Sequence, residues 1–146
     1  MSELEKKNIL LILDDTSWGS IHNERLKTLA QYGAEIVTAS NIPEAIEIIS
    51  TGNVFHIITR PYNGRWREIA HIAREHQTAC TIVTGNQSER YRRAIEQEFP
   101  EGVYVACKGE REEIEAMYKD IISQFIEEIK AENEDLTERG SSNKYA

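Results

Sequence analysis

Two adjacent carboxylates, Asp14 and Asp15, end the first apolar run of the chain, Ile9–Leu13. A strand that delivers two carboxylates to its C-terminal end builds an acidic mouth at the edge of a parallel sheet, where open α/β folds place their sites. Such a pair suits a hard cation such as Mg²⁺, which takes oxygen ligands in octahedral geometry and needs further oxygens to complete them. A third carboxylate is expected at the end of the run Val54–Thr59, but Thr59 stands there, followed by Arg60. No Asp or Glu occurs between Glu47 and Glu68. Thr59 offers a neutral hydroxyl with no general base near it in sequence. Losing the third carboxylate also weakens Mg²⁺ at Asp14 and Asp15, so no cofactor is expected. The Arg60 guanidinium is a physical substitute, able to sit over both carboxylates permanently; the alternative is that it points to solvent.

These residues need a scaffold, and the apolar pattern supplies one. Runs of five to eight residues alternate with helical patterns. Strands are expected at 9–13, 34–40, 54–59, 79–84 and 103–107. Helices are expected at 21–32, with Leu26, Leu29 and Ala30 inward, and at 41–49, capped by Asn41 with Pro43 in its first turn. Three more follow at 66–77, at 88–99 and at 110–130, the last with a stripe at Ile114, Met117, Tyr118, Ile121, Ile122, Phe125 and Ile129. Strict βα alternation, with runs too apolar to be half exposed, predicts an α/β fold. The expected architecture is a flavodoxin-like (βα)5 three-layer sandwich, a parallel five-stranded sheet in the order 2-1-3-4-5. One domain spans 1–130, and 131–146 read as an acidic then polar tail, disordered by composition. In that strand order Asp14, Asp15 and Thr59 meet at one crevice, joined by Thr84 and Lys108.

That ordered set resembles the receiver domain of two-component response regulators over residues 8–130. The resemblance matches Asp14-Asp15 to the Mg²⁺-binding pair, Thr84 to the hydroxyl that senses the phosphoryl group, and Lys108 to the lysine after the last strand. Thr59 falls where receivers carry the phospho-accepting Asp, Gly109 where they usually carry Pro, and Val105 where they carry the switching aromatic, with Tyr104 adjacent. The loop 60–64 is about two residues short. The resemblance implies a signalling module that binds protein partners, with a degenerate phosphorylation pocket at Asp14, Asp15, Thr59, Arg60, Thr84 and Lys108. It also implies a docking face on helix 4, strand 5 and helix 5.

Charge supports such a face. The chain carries net −8, whereas residues 60–95 carry net +4 and 96–139 net −9. The overall sign argues against nucleic-acid binding. Arg90, Tyr91, Arg92 and Arg93 on helix 4 and Glu112, Glu113 and Tyr118 on helix 5 form the expected interaction face, for a signalling partner or for an isologous homodimer. The alternative for these charges is a solvated face with pairs inside one chain. Other readings stand beside each feature. Asp14-Asp15 could cap the following helix, and Lys108 could simply neutralise them. His22, His56, His71 and His76 lack zinc spacing, and Cys80 and Cys107 read as buried thiols at opposite ends of adjacent strands. Trp18 and Trp66 are both expected at the crevice.

The chain has no run long enough to span a bilayer and no signal-peptide core, so a cytoplasmic, membrane-free protein is expected. No nucleophile triad, GxGxxG or Walker pattern is present, and the chain is read as not an enzyme. The leading expectation is a stand-alone receiver-like module acting by phosphorylation-independent protein binding. The alternatives are a phospho-switch with a non-standard acceptor, and a flavodoxin-like small-ligand or nucleotide sensor using the crevice near Trp18, Trp66 and Arg60.

Overall fold

A computed structural model describes residues 7–86 and 88–145, with side chains described through residue 131. The tail expected at 131–146 lies, apart from Ala131, outside the residues whose side chains are described, and its backbone through Tyr145 continues the last helix. Five strands, β1 Ile9–Leu13, β2 Glu35–Thr38, β3 Val54–Thr59, β4 Ala79–Thr84 and β5 Val103–Cys107, form one sheet. All pairs are parallel and the order is β2-β1-β3-β4-β5. The helices are α1 Ser17–Leu26, α2 Ile42–Ile49, α3 Trp66–Glu75, α4 Glu89–Glu98 and α5 Arg111–Tyr145. This is the flavodoxin-like three-layer sandwich.

Central strands explain the unbroken apolar runs. Every residue of β3 is buried, and β1 and β4 are buried after their first residue, as a sheet covered on both faces requires. On one face Leu10, Ile58, Val83 and Ala106 pack against Leu26, Leu29 and the α5 stripe of Ile114, Met117, Tyr118, Ile121 and Phe125. The opposite face carries Leu11, Leu13 and Ile57 against Ala45 and Ile49 of α2 and Ile69 and Ala73 of α3. Beside them Trp66, Ala70, Ile82, Ile95 and Phe99 close the layer under α4.

Caps set the helix starts. Thr16 accepts from the Trp18 amide, Asn41 from Glu44, and Ser88 from Tyr91, each side chain satisfying an otherwise orphaned N–H. The first helix therefore begins at Ser17, earlier than residue 21. It tightens into a 3-10 turn over Lys27–Tyr32, ended by Gly33 at φ +94°. Three residues per turn aligns Leu26 with Leu29 and rotates Ala30 outward, so Ala30 is exposed where it was expected to be buried.

Gly19 lies close against the end of β1. A Cβ at this position would lie 2.3 Å from the Asp14 carbonyl oxygen. The first turn of α1 can thus press onto the end of β1 only because residue 19 has no side chain.

Candidate functional site: a closed acidic crevice

Parallel register builds the site. Leu13 pairs with Thr59 and Thr84 with Cys107, so the residues following β1 and β3 emerge side by side, and Lys108 follows at the end of β5. All six expected crevice residues lie at this C-terminal edge. Their interactions differ from those of an open metal pocket.

Asp14 is buried, and one carboxylate oxygen, Oδ1, accepts from the Thr16 amide at 2.9 Å and from the Thr16 hydroxyl. This is an Asx turn leading into α1. The other oxygen, Oδ2, is buried with no hydrogen-bond partner and faces His22 Nε2 at 3.8 Å. The second ring nitrogen, Nδ1, lies 2.7 Å from the Tyr118 hydroxyl. With the Tyr118 O–H donating to Nδ1, the imidazole proton sits on Nε2 and points toward Asp14, the favourable electrostatic arrangement. Burial pushes His22 down to about 4, against the raising pull of Asp14, and Lys108 lowers it further. Burial likewise pushes Tyr118 up to about 12. A neutral His–Tyr pair therefore backs Asp14 from within the protein.

Asp15 points the other way and is 62% exposed on its side chain. It pairs with Arg60 Nη1. Arg60 also stacks over Tyr62, its guanidinium 5.0 Å from the ring centroid. The Tyr62 hydroxyl donates to the Leu13 carbonyl at 3.3 Å. Tyr62 and Asn63 both adopt left-handed backbone, at φ 46° and 54°, an uncommon strain for non-glycine residues in succession. The short loop after β3 is thus bent tightly enough to place Tyr62 beneath Arg60. Arg60 pairs with Asp15 and not with Asp14, because Asp14 has turned inward to cap α1 and face His22.

The remaining three residues are also engaged. Thr59 is fully buried, and its hydroxyl donates to the Arg60 carbonyl at 3.0 Å. The buried Thr84 hydroxyl accepts from the Asn86 amide at 3.0 Å. Lys108 makes no ion pair with Asp14 or Asp15 among the described residues, contrary to the neutralising role considered for it. Its ammonium lies 5.7 Å from the Trp18 ring centroid. Among the described residues no group of three or more His, Cys, Asp or Glu is placed to hold a metal. At the crevice one carboxylate is buried and hydrogen-bonded, the other pairs with a guanidinium, and a buried threonine ends β3.

Two expectations need correction. Trp66 is not at the crevice. It is 1% exposed and packs at 5.4 Å on Phe99 under α4, because its position at the start of α3 faces the sheet. Trp18 alone stands beside Lys108. Tyr118 does not belong to the α4–α5 face either. It lies on the α1 side of α5, buried against His22 and under Arg25. The rest of that face is partly spent within the chain: Arg92 pairs with Glu113, and Arg93 reaches Glu89 at 3.9 Å. Arg90, Arg93 and Glu112 are exposed, and Tyr91 is half-buried. Cys80 and Cys107 are buried free thiols, and burial pushes Cys80 up to about 12.

Sequence reasoning missed His22. Its signal was present, since His22, Leu26 and Leu29 follow helical spacing on one face. A histidine on an apolar stripe, opposite a tyrosine on another, marks a buried polar contact. No helix of the described residues is long and apolar enough to cross a membrane.

No family model matches the chain, and no curated protein does. Solved structures do. The signal receiver domain of a protein named as a Luxo repressor, from Vibrio parahaemolyticus, superposes with TM-score 0.59 at 17% identity, covering 88% of this chain and 95% of that one. A response regulator from Burkholderia pseudomallei, solved with a phosphorylated aspartic acid, calcium ion and citrate, gives 0.55 at 19% identity over 86% of this chain and 75% of its own. A de novo designed Rossmann 2x3 protein gives 0.57 at 21%, covering 83% and 90%. The same architecture thus occurs in a protein of designed sequence, and likeness at this identity speaks to fold alone. The chain has the receiver-like, flavodoxin-like fold, with its acidic crevice closed by its own side chains.

Proposed function

We propose that this chain is a receiver-like signalling module that works without accepting phosphate, by binding a protein through its α4–β5–α5 side. The observation that supports this reading is the Thr59–Arg60 pair. The position that would carry the nucleophile holds a buried hydroxyl already donating to a backbone carbonyl. The neighbouring guanidinium holds the exposed carboxylate that a cation would need. A hydroxyl without a base and a carboxylate already paired to a guanidinium both support a module that works without phosphotransfer.

The exposed chemistry on the other side is suited to protein contact. Arg90 and Arg93 extend from α4, and Tyr104 on the edge strand is 56% exposed. Arg and Tyr are enriched at the centres of interfaces. The in-chain Arg92–Glu113 pair leaves Arg90, and Arg93 with its exposed, long contact to Glu89 of its own helix, to meet a partner's carboxylates, whether on a signalling protein or a second copy. Incubation with an acyl phosphate and Mg²⁺, followed by intact-mass spectrometry, should leave the protein unmodified, and a stoichiometric phosphoryl adduct overturns the reading. Cross-linking should show a salt-sensitive contact that Arg90→Glu with Arg93→Glu abolishes. Equal cross-linking of wild type and variant removes this face from the proposal.

A further inference from the structure

β5 is an outer strand of the sheet, paired only with β4. The Cys80 amide donates to the Gly102 carbonyl and the Lys108 amide to the Thr84 carbonyl, both at 2.8 Å. Alternate residues of a strand point their N–H and C=O the same way. Gly102, Tyr104, Ala106 and Lys108 therefore bond toward β4, whereas Val103, Val105 and Cys107 direct their backbone groups away from the sheet. The Cys107 amide is already met by Glu113 Oε1 at 3.3 Å, and Glu113 is paired with Arg92 of α4. That clasp leaves Val103 and Val105 as the open stretch of the edge, a template for another strand. Resting on the reading that a partner binds the α4–β5–α5 side, we propose that β5 accepts an extended segment of that partner as an added strand, in which two apolar residues flank one arginine or lysine.

The two faces of β5 decide this pattern. Directly opposed residues of neighbouring strands share a face. Val103 and Val105 are half-buried and pack with Tyr91 on the α4 side, so the residues opposite them meet an apolar surface. Tyr104 and Ala106 alternate with them and face α5. A residue opposite Tyr104 thus points toward a cavity of about 440 Å³ between β5 and α5. Its lining runs from His56 and Thr81 of the central strands to Tyr104, with Met117 and Ile121 of α5 as an apolar wall.

Charge selects what enters. The charged residues of the lining are Arg92, Glu113 and Asp120. Arg92 and Glu113 offset each other, and the exposed Asp120 has no ion pair among the described residues. A long basic side chain matches this arrangement. Its methylene stem can lie along Met117 and Ile121 while its head stays in water beside Asp120 and the Tyr104 ring. A carboxylate in the same place would meet Asp120 with no countercharge. A second copy of this chain is a poorer occupant. Antiparallel pairing of β5 with β5 keeps both α5 helices on one side of the joined sheet, so the side of each that carries Glu113 and Asp120 would face its like.

The test uses the full chain, labelled with ¹⁵N, and short capped peptides. A peptide centred on Val-Arg-Val should shift the Val103 and Val105 amides saturably and slow their hydrogen exchange. The Tyr104 and Ala106 amides, already bonded to β4, should exchange slowly with or without it. The same peptide with its central amides N-methylated should not bind, and one centred on Val-Glu-Val should bind at least about threefold more weakly. Asp120→Asn, at an exposed helix position, should weaken the arginine peptide about threefold without lowering the thermal midpoint. Absence of a saturable shift at Val103 and Val105, binding of the N-methylated peptide, equal binding of the arginine and glutamate peptides, or unchanged affinity in Asp120→Asn overturns the proposal. None of these readouts involves Arg90 or Arg93, so strand addition can fail while the cross-linking test of the wider face succeeds.

Discussion

Lowering the pH should unfold this protein earlier than its carboxylates require, because two histidines are buried neutral. His22 and His56 each fall from the usual 6.5 to about 4. Burial is the largest cause for both. His22 also faces Asp14, which pulls upward, and Lys108, which pushes down. A folded value below the unfolded one means that the unfolded chain binds protons first. Stability is therefore intact above about pH 6.5 and is lost as pH falls toward 4. At 1.36 kcal/mol per pH unit, the full penalty is about 3 kcal/mol for each histidine. By pH 5 the linkage gives about 2 kcal/mol each, or about 4 kcal/mol together. That is a large share of the 5–15 kcal/mol typical of a domain. Carboxylates held low by partners, such as Glu115 beside Arg25, contribute below that window. Urea unfolding at about pH 7.5, 6 and 5 measures the difference through the shift in ΔG at constant slope. The double variant His22→Gln with His56→Gln should show nearly level stability across the same window. If wild type loses less than about 1 kcal/mol by pH 5, or the double variant keeps the wild-type slope, the histidines are not buried as neutral groups.

Arg60→Ala should cost no more than about 1 kcal/mol by chemical denaturation, since its pair with Asp15 is largely exposed. It should also raise Mg²⁺ affinity measured by calorimetry, because it frees one carboxylate; equal Mg²⁺ binding by wild type and variant refutes the neutralising role of Arg60. Gly19→Ala should destabilise by roughly 1–3 kcal/mol, because the new methyl meets the Asp14 carbonyl at 2.3 Å and the contact is with backbone. A thermal midpoint within error of wild type would show that α1 does not press on β1 as described.

Much of this molecule was determined by its sequence alone. The runs Ile9–Leu13, Val54–Thr59 and Ala79–Thr84 are apolar on both faces, which is what a central parallel strand demands, and βα alternation leaves few strand orders, of which 2-1-3-4-5 is the commonest for five units. Caps at Asn41 and Ser88 bond to residues three positions away, so they are legible locally. The crevice residues were legible as a set, because strand ends in a parallel sheet converge whatever the side chains do.

What each side chain does there was decided by tertiary structure. Asp14 and Asp15 are neighbours in sequence, yet one turns inward to His22 and the other outward to Arg60. The split depends on Gly19 letting α1 come close and on Tyr118, 96 residues from His22, arriving from α5. Trp66 and Tyr118 went to the core for the same reason: a position's helical face is local, but which neighbour that face meets is not. The cavity at His56 is the furthest from local rules. It is lined by His56 of β3, Thr81 of β4, Val105 and Ala106 of β5 and Ala116 and Met117 of α5, and no pattern within any one segment encodes that meeting.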